Sequence, residues 1–147
     1  MREYISYLGE EFDTKYIATQ LNLNFQSSIN KPLYGLWASP VNAKYGWKEF
    51  CINNLIGLDP VHFRFTLKYY AKIFYIDNLE DVEKLPFYGN GDIFIDFDKL
   101  REDGYDGMEL TNPRIGHYFI SKKEECFNSW DCESIVIWNP DIIVPIE

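Results

Sequence analysis

The sequence has little that binds metal or cross-links a chain. It carries three cysteines, Cys51, Cys126 and Cys132, and two histidines, His62 and His117. No two cysteines form a Cys-x-x-Cys pair, and an odd count leaves one unmatched. A disulfide scaffold and a zinc site are therefore not expected. The two histidines lie far apart in sequence, so no metal is expected from them either. No run of about 18 apolar residues occurs, so no membrane span is expected. The opening "MREYISYLGEEF" lacks the apolar core of a signal peptide, and a reducing cytoplasm, bacterial or host-cell, is the expected compartment. Basic residues are also scarce: 14 Lys and Arg against 23 Asp and Glu give a formal net charge of -9. Such a surface repels phosphate backbones at long range, which argues against tight nucleic-acid binding but leaves room for a small basic groove.

Aromatic residues are plentiful, with 11 Tyr, 11 Phe and 4 Trp among 147 residues. That is ample core material, and the length suits one domain, 1–147. Tyr and Trp also suit clefts, because each pairs a flat apolar face with a polar tip. There is no repeat, no low-complexity tract and no linker able to divide two domains.

The local patterns predict short strands and short helices in an α+β arrangement. "REYISYL" reads as a first strand, and Asp13 is placed to cap a helix over "TKYIATQLN". "LYGLWAS" reads as a strand interrupted at Gly35, where backbone must pass close to something, and ended by Pro40. "AKYGWKEFCINNLIG" reads as helical from about Tyr45, with Trp47, Phe50, Cys51 and Leu55 inward. "VHFRFTLKYY" alternates Phe63, Phe65 and Leu67 against His62, Arg64 and Thr66, the mark of a half-buried strand. "AKIFYID" is a further strand. "NLEDVEKL" is a short helix capped by Asn78, and "FYGNGD" is a turn. "IFIDFDKLREDG" passes from extended chain to a helix ending at Gly104. "YDGMELT", "ESIVIW" and "DIIVPI" are strands, and "GHYFIS" is a candidate for another.

Several of these pieces, in this order, resemble the ADP-ribosyltransferase fold, the NAD-cleaving group that includes poly(ADP-ribose) polymerases and bacterial toxins. "GLWAS", Gly35 to Ser39, resembles the Gly-x-aromatic-x-Ala/Ser strand that walls the nicotinamide pocket. Trp47 falls where the family places a stacking aromatic. Glu133, directly followed by the apolar Ser134-Ile-Val-Ile, resembles the family's final motif. "GYDGMEL" matches a turn into a strand just before it. A closer likeness is to small bacterial and phage-encoded proteins with the pattern KPxxGLWxSP, then W, C, YDG and WDxESxxxxNPD. Here those are Lys31-Pro32, Gly35 to Pro40, Trp47, Cys51, Tyr105 to Gly107, Trp130 to Ser134 and Asn139 to Asp141.

The resemblance implies two short, mostly antiparallel sheets and a few short helices around an NAD cleft. It implies NAD as substrate, Glu133 as the carboxylate that holds the ribose 2′-hydroxyl and offsets positive charge as nicotinamide leaves, and Gly9, Gly35, Trp37, Ser39, Tyr45 and Trp47 as NAD-binding residues. The family's first strand normally ends in His or Arg. This chain has Leu8 before Gly9, which leaves Tyr7 as the substitute catalytic side chain and Arg2 as a remoter one.

Each motif also has a plainer reading. Glu133 also reads as a strand boundary, Trp37 and Trp47 as core, Ser39 as a strand end and Tyr7 as structural. Gly35 also reads as a bulge, and Asp106 as a turn residue bonding its own backbone. The expected function is mono-ADP-ribosylation of a protein or nucleic acid, in the setting of a toxin, phage effector or defence factor with an antitoxin or host protein as partner. The alternative is a degenerate module of the same fold that binds NAD, ADP-ribose or a protein without turnover.

Overall fold

A computed structural model describes residues 2–7, 30–32, 34–118 and 121–146. The expected helix over 14–22, with Leu8 and Gly9, lies outside the described residues.

The expected strands form where the alternation places them. Among the described residues the strands are β1 (Tyr4–Tyr7), β2 (Leu36–Pro40), β3 (His62–Leu67), β4 (Ile73–Ile76), β5 (Phe87–Tyr88), β6 (Phe94–Ile95), β7 (Gly107–Leu110), β8 (Ser134–Ile137) and β9 (Ile143–Ile146); of these, β5 is not an expected strand, since it opens the stretch "FYGNGD" that reads as a turn. Among the described residues the short helices are α1 (Trp47–Asn53), α2 (Leu79–Glu83), α3 (Phe97–Glu102) and α4 (Lys122–Glu125). Asn78 caps α2 as expected, and its side chain accepts the Asp81 N–H. Gly104, with φ of +88°, follows α3.

The class is α+β, but the two short sheets expected from the sequence are replaced by a seven-stranded sheet in the order β4-β7-β8-β2-β1-β3-β9, with β5 and β6 as a separate hairpin. All its pairings are antiparallel except β4 with β7. β2 joins its two halves. Leu36, Trp37 and Ala38 pair with β8, whereas Ser39 and Pro40 pair with β1.

Successive residues of a strand point to opposite faces, and the core divides accordingly. Met108, Leu110 and Val136 enter a cluster with Trp130, Phe127 and Trp138. Ile135 and Ile137 enter another with Tyr4, Phe65 and Ile142.

Three expectations are corrected. α1 begins at Trp47 rather than Tyr45, because Gly46 is extended (φ −96°, ψ −168°) and both backbone polar groups of Tyr45 are bonded to Glu133. Leu55 is not inward: it follows the helix at φ +55° and is 96% exposed, leaving Cys51 as the buried residue of α1. The stretch read as the strand "GHYFIS" instead opens in a 3-10 turn over Pro113–His117, started by Asn112 and Pro113. A side chain at Gly116 in that turn would meet the Phe127 backbone at 2.6 Å.

Candidate functional site

The chain around the β1–β2 pairing encloses a cleft of about 360 Å³. Tyr7, Trp37, Trp47 and Trp130 give it aromatic walls, and Ser39, Cys132 and Ser134 add small polar groups. Trp37 meets Trp130 edge-on with centroids 4.9 Å apart. Trp47, at the start of α1, is 38% exposed and stacks on Phe50 at 5.4 Å. It is neither core nor free surface, but a ring held on one side and open on the other.

Ser39 fixes this geometry. Its hydroxyl donates to the Glu133 carbonyl at 2.8 Å and accepts the Trp47 N–H at 2.9 Å. Gly46, the residue before α1, has no side chain with which to cap the helix, so Ser39 satisfies one of its free N–H groups from across the sheet. Gly46 also allows the approach, since a Cβ there would stand 3.0 Å from the Ser39 Cβ.

Glu133 stands between two cleft-lining residues, Cys132 and Ser134, but its own side chain is not among those that line the cleft. Its Oε2 accepts the Tyr45 N–H at 2.7 Å, and its N–H donates to the Tyr45 carbonyl at 2.9 Å. Tyr45 likewise does not line the cleft, and its hydroxyl accepts from Asn53 Nδ2 at 3.4 Å. Of the two rings expected against nicotinamide, Trp47 is the one that reaches the cavity.

Gly35 does not line the cleft either. It packs against β8 at φ +153°, where a Cβ would meet Val136 Cγ2 at 2.9 Å and the Ile137 carbonyl oxygen at 3.0 Å. That is the close backbone approach read from the sequence. Gly9 lies outside the described residues. Tyr7 lines the cleft, and burial, then the charge of Glu49, pushes its phenol above the ordinary range, so it stays a hydroxyl donor. Burial likewise raises the Cys132 thiol, which keeps it from serving as a thiolate nucleophile at neutral pH.

Arg2 does not reach the cleft. Its guanidinium pairs with the buried Glu109, which also accepts from the Tyr4 hydroxyl. Asp106 departs from expectation as well. Rather than bonding its own backbone, it accepts the Lys72 N–H at 2.8 Å and Asn139 Nδ2 at 2.8 Å. The Tyr-Asp-Gly and Asn-Pro-Asp motifs thus form one structural junction, to which the Trp138 indole adds a bond to the Tyr105 carbonyl at 2.6 Å.

Lys31, Trp130 and Asp131 are cleft residues for which sequence reasoning gave no role. Lys31 was visible only as part of a motif, and the other two as residues flanking Glu133. Among the described residues no group of three or more His, Cys, Asp or Glu is placed to hold a metal, and the three cysteines are free and buried. Among the described residues no helix is long and apolar enough to cross a membrane. Comparison with protein-family models, with curated proteins and with solved structures finds no match for this chain.

Proposed function

We propose that this chain has the ADP-ribosyltransferase fold and is an NAD-dependent mono-ADP-ribosyltransferase acting on a macromolecule. The observation that carries the reading is the cleft, in which aromatic rings and a tethered serine converge beside the backbone of Glu133. Flat apolar walls with a few fixed polar groups suit an aromatic amide such as nicotinamide. The volume of about 360 Å³ is at the low end for small-molecule sites, enough for the nicotinamide end of the dinucleotide.

In this reading Trp47 stacks on the ring and Tyr7 donates a hydrogen bond. The bond from ribose C1′ to the nicotinamide nitrogen breaks, and nicotinamide leaves with the electron pair. An acceptor lone pair closes on C1′ and the acceptor gives up a proton. Glu133 offsets the positive charge on the ribose during this exchange. To do so its carboxylate must accept the ribose 2′-hydroxyl on a lone pair that the Tyr45 N–H does not use. A role as a toxin, phage effector or defence factor, with an antitoxin or host protein as partner, belongs to the same proposal.

A second reading has a specific observation behind it. The Glu133 carboxylate is already engaged by the Tyr45 N–H, which favours a module that binds NAD or ADP-ribose without turnover. Titration with NAD, followed by tryptophan fluorescence, and chromatographic assay of nicotinamide release with candidate acceptors separate the two. The transferase reading expects saturable binding and release that falls about 100-fold in Glu133→Gln, the scale for losing one electrostatic stabiliser. Binding without release selects the module. No binding rejects both.

A further inference from the structure

Among the described residues, two charged side chains line the cleft, Lys31 and Asp131. Lys31 belongs to the Lys-Pro motif, to which the proposed chemistry gives no task. The backbone before it is held at two points. Asn30 adopts φ +59°, its Oδ1 accepts the Ile95 N–H at 2.8 Å, and its carbonyl accepts the Trp130 indole N–H at 2.9 Å. Buried Pro32 follows, with φ fixed by its ring. The lysine stem thus leaves a fixed point on the rim, and Nζ lies over the Trp37 ring, 5.6 Å from its centroid. Among the described residues no carboxylate pairs with it. A contact with a ring face leaves ammonium N–H groups able to donate to anionic oxygens.

We infer that Lys31 is the anion contact of this cleft and seats the pyrophosphate of a dinucleotide whose aromatic end lies against Trp47; the inference rests on the reading above. The argument is electrostatic. A chain with net charge -9 repels a phosphate-bearing ligand at long range, so binding one requires a local cation. Lys31 supplies it beside aromatic walls. Fixing the backbone on both sides of the lysine reduces the ordering cost when the anion arrives. Asp131 opposes the same anion, so the two charged residues act with opposite sign.

The test is isothermal titration of wild type, Lys31→Gln, Lys31→Arg and Asp131→Asn with inorganic pyrophosphate, nicotinamide and NAD, with a thermal melt of each protein. Lys31→Gln is expected to weaken pyrophosphate and NAD about tenfold, the scale of one hydrogen bond to a charged group, and to leave nicotinamide unchanged. Lys31→Arg should restore most of the loss, and Asp131→Asn should tighten pyrophosphate. Absence of pyrophosphate binding in the wild type overturns the inference. So does an equal loss for all three probes in Lys31→Gln, which would mark a structural lysine. If NAD binds as tightly to Lys31→Gln as to wild type, the Lys31 assignment falls and the NAD reading stands. If pyrophosphate binding depends on Lys31 but NAD does not bind, the assignment stands and the NAD reading falls.

Discussion

Glu133 and Tyr45 hold each other at two points: the Glu133 N–H donates to the Tyr45 carbonyl at 2.9 Å, and Glu133 Oε2 accepts the Tyr45 N–H at 2.7 Å. This ties the mouth of β8 to the turn that leads into α1. Ser39 adds a third tie, since its hydroxyl bridges the Glu133 carbonyl and the Trp47 N–H. The carboxylate and the cleft ring of Trp47 therefore belong to one bonded unit, and a change at either is felt by the other.

The first prediction concerns the side-chain half of that clamp. A Glu at a strand mouth that faced only water would contribute little to stability. A half-buried carboxylate bonded to a backbone N–H contributes on the order of 1–2 kcal/mol. Glu133→Ala should lower Tm by roughly 3–8 °C for a chain of this size. Glu133→Gln keeps an acceptor oxygen and should lose less than half as much. The two variants should thus separate in a thermal melt, and on the transferase reading proposed above both should lose nicotinamide release. Equal melts for wild type and Glu133→Ala would show that the clamp does not persist in solution.

Ser39 gives a second prediction. Ser39→Ala removes the donor to the Glu133 carbonyl and the acceptor for the first N–H of α1 together. A loss of about 1–2 kcal/mol is expected, as for removing a helix cap. The start of α1 should also loosen, so ligand affinity should fall several-fold beyond any effect of the lost hydroxyl on contact. Faster hydrogen exchange across Trp47–Asn53 would be the direct sign. Unchanged exchange there would show that Ser39 does not anchor the helix.

Much of the fold is legible in the sequence because its signals are local. The alternation at Phe63 and Phe65, the Asn78 cap and the breaks at Pro40 and Gly104 each depend on neighbours within a turn or a strand. The misreadings arise where a distant partner overrides the local pattern. Tyr45 has the right spacing to start a helix, but Glu133 takes its backbone. Leu55 has the right spacing for an inward face, but the chain turns to positive φ one residue after Asn54, and Leu55 stands exposed. The cleft is the extreme case. Lys31 is set in place by the bond between the Asn30 carbonyl and the Trp130 indole, across a sequence separation of 100 residues, and no periodicity reports such a contact. Trp37, Ser39 and Trp47 were legible as site candidates because one strand and the adjoining helix carry them.

Asp106 tests whether a motif marks chemistry or architecture. It bonds the Lys72 N–H from one side and Asn139 Nδ2 from the other, and its carbonyl accepts from the Trp138 and Asn139 N–H groups. Asp106→Ala leaves two donors without their acceptor, which costs roughly 2–3 kcal/mol. The variant should show a clear fall in Tm, yet at a temperature where it is still folded its ligand affinity should equal that of wild type. An affinity loss in fully folded Asp106→Ala would place this junction in the functional site after all.

The last prediction follows from Glu109, which is fully buried on β7, one strand in from the edge of the sheet, and bonded to Arg2 and Tyr4. Two opposed effects act on its carboxyl. Burial disfavours the charged form and raises its pKa. The Tyr4 hydrogen bond and the Arg2 charge lower it, and the nearby charge of Glu133 raises it again. Burial dominates, so the folded state holds this proton more tightly than the unfolded chain does. Tyr4 and Tyr75 face the same carboxylate, and burial followed by its charge raises both of their phenols. They remain neutral and do not compete at neutral pH. A carboxyl with a raised folded-state pKa contributes stability that is present below its unfolded pKa and is lost as pH rises through the folded one. Glu109→Gln keeps the shape and has no proton to exchange. Thermal melts of both proteins from about pH 7 to about pH 5 should show the wild type gaining on Glu109→Gln as the solution is acidified. If the ion pair with Arg2 dominated instead, the carboxyl would be depressed and the wild type would lose ground over the same interval. The sign of the slope decides which effect governs this buried group.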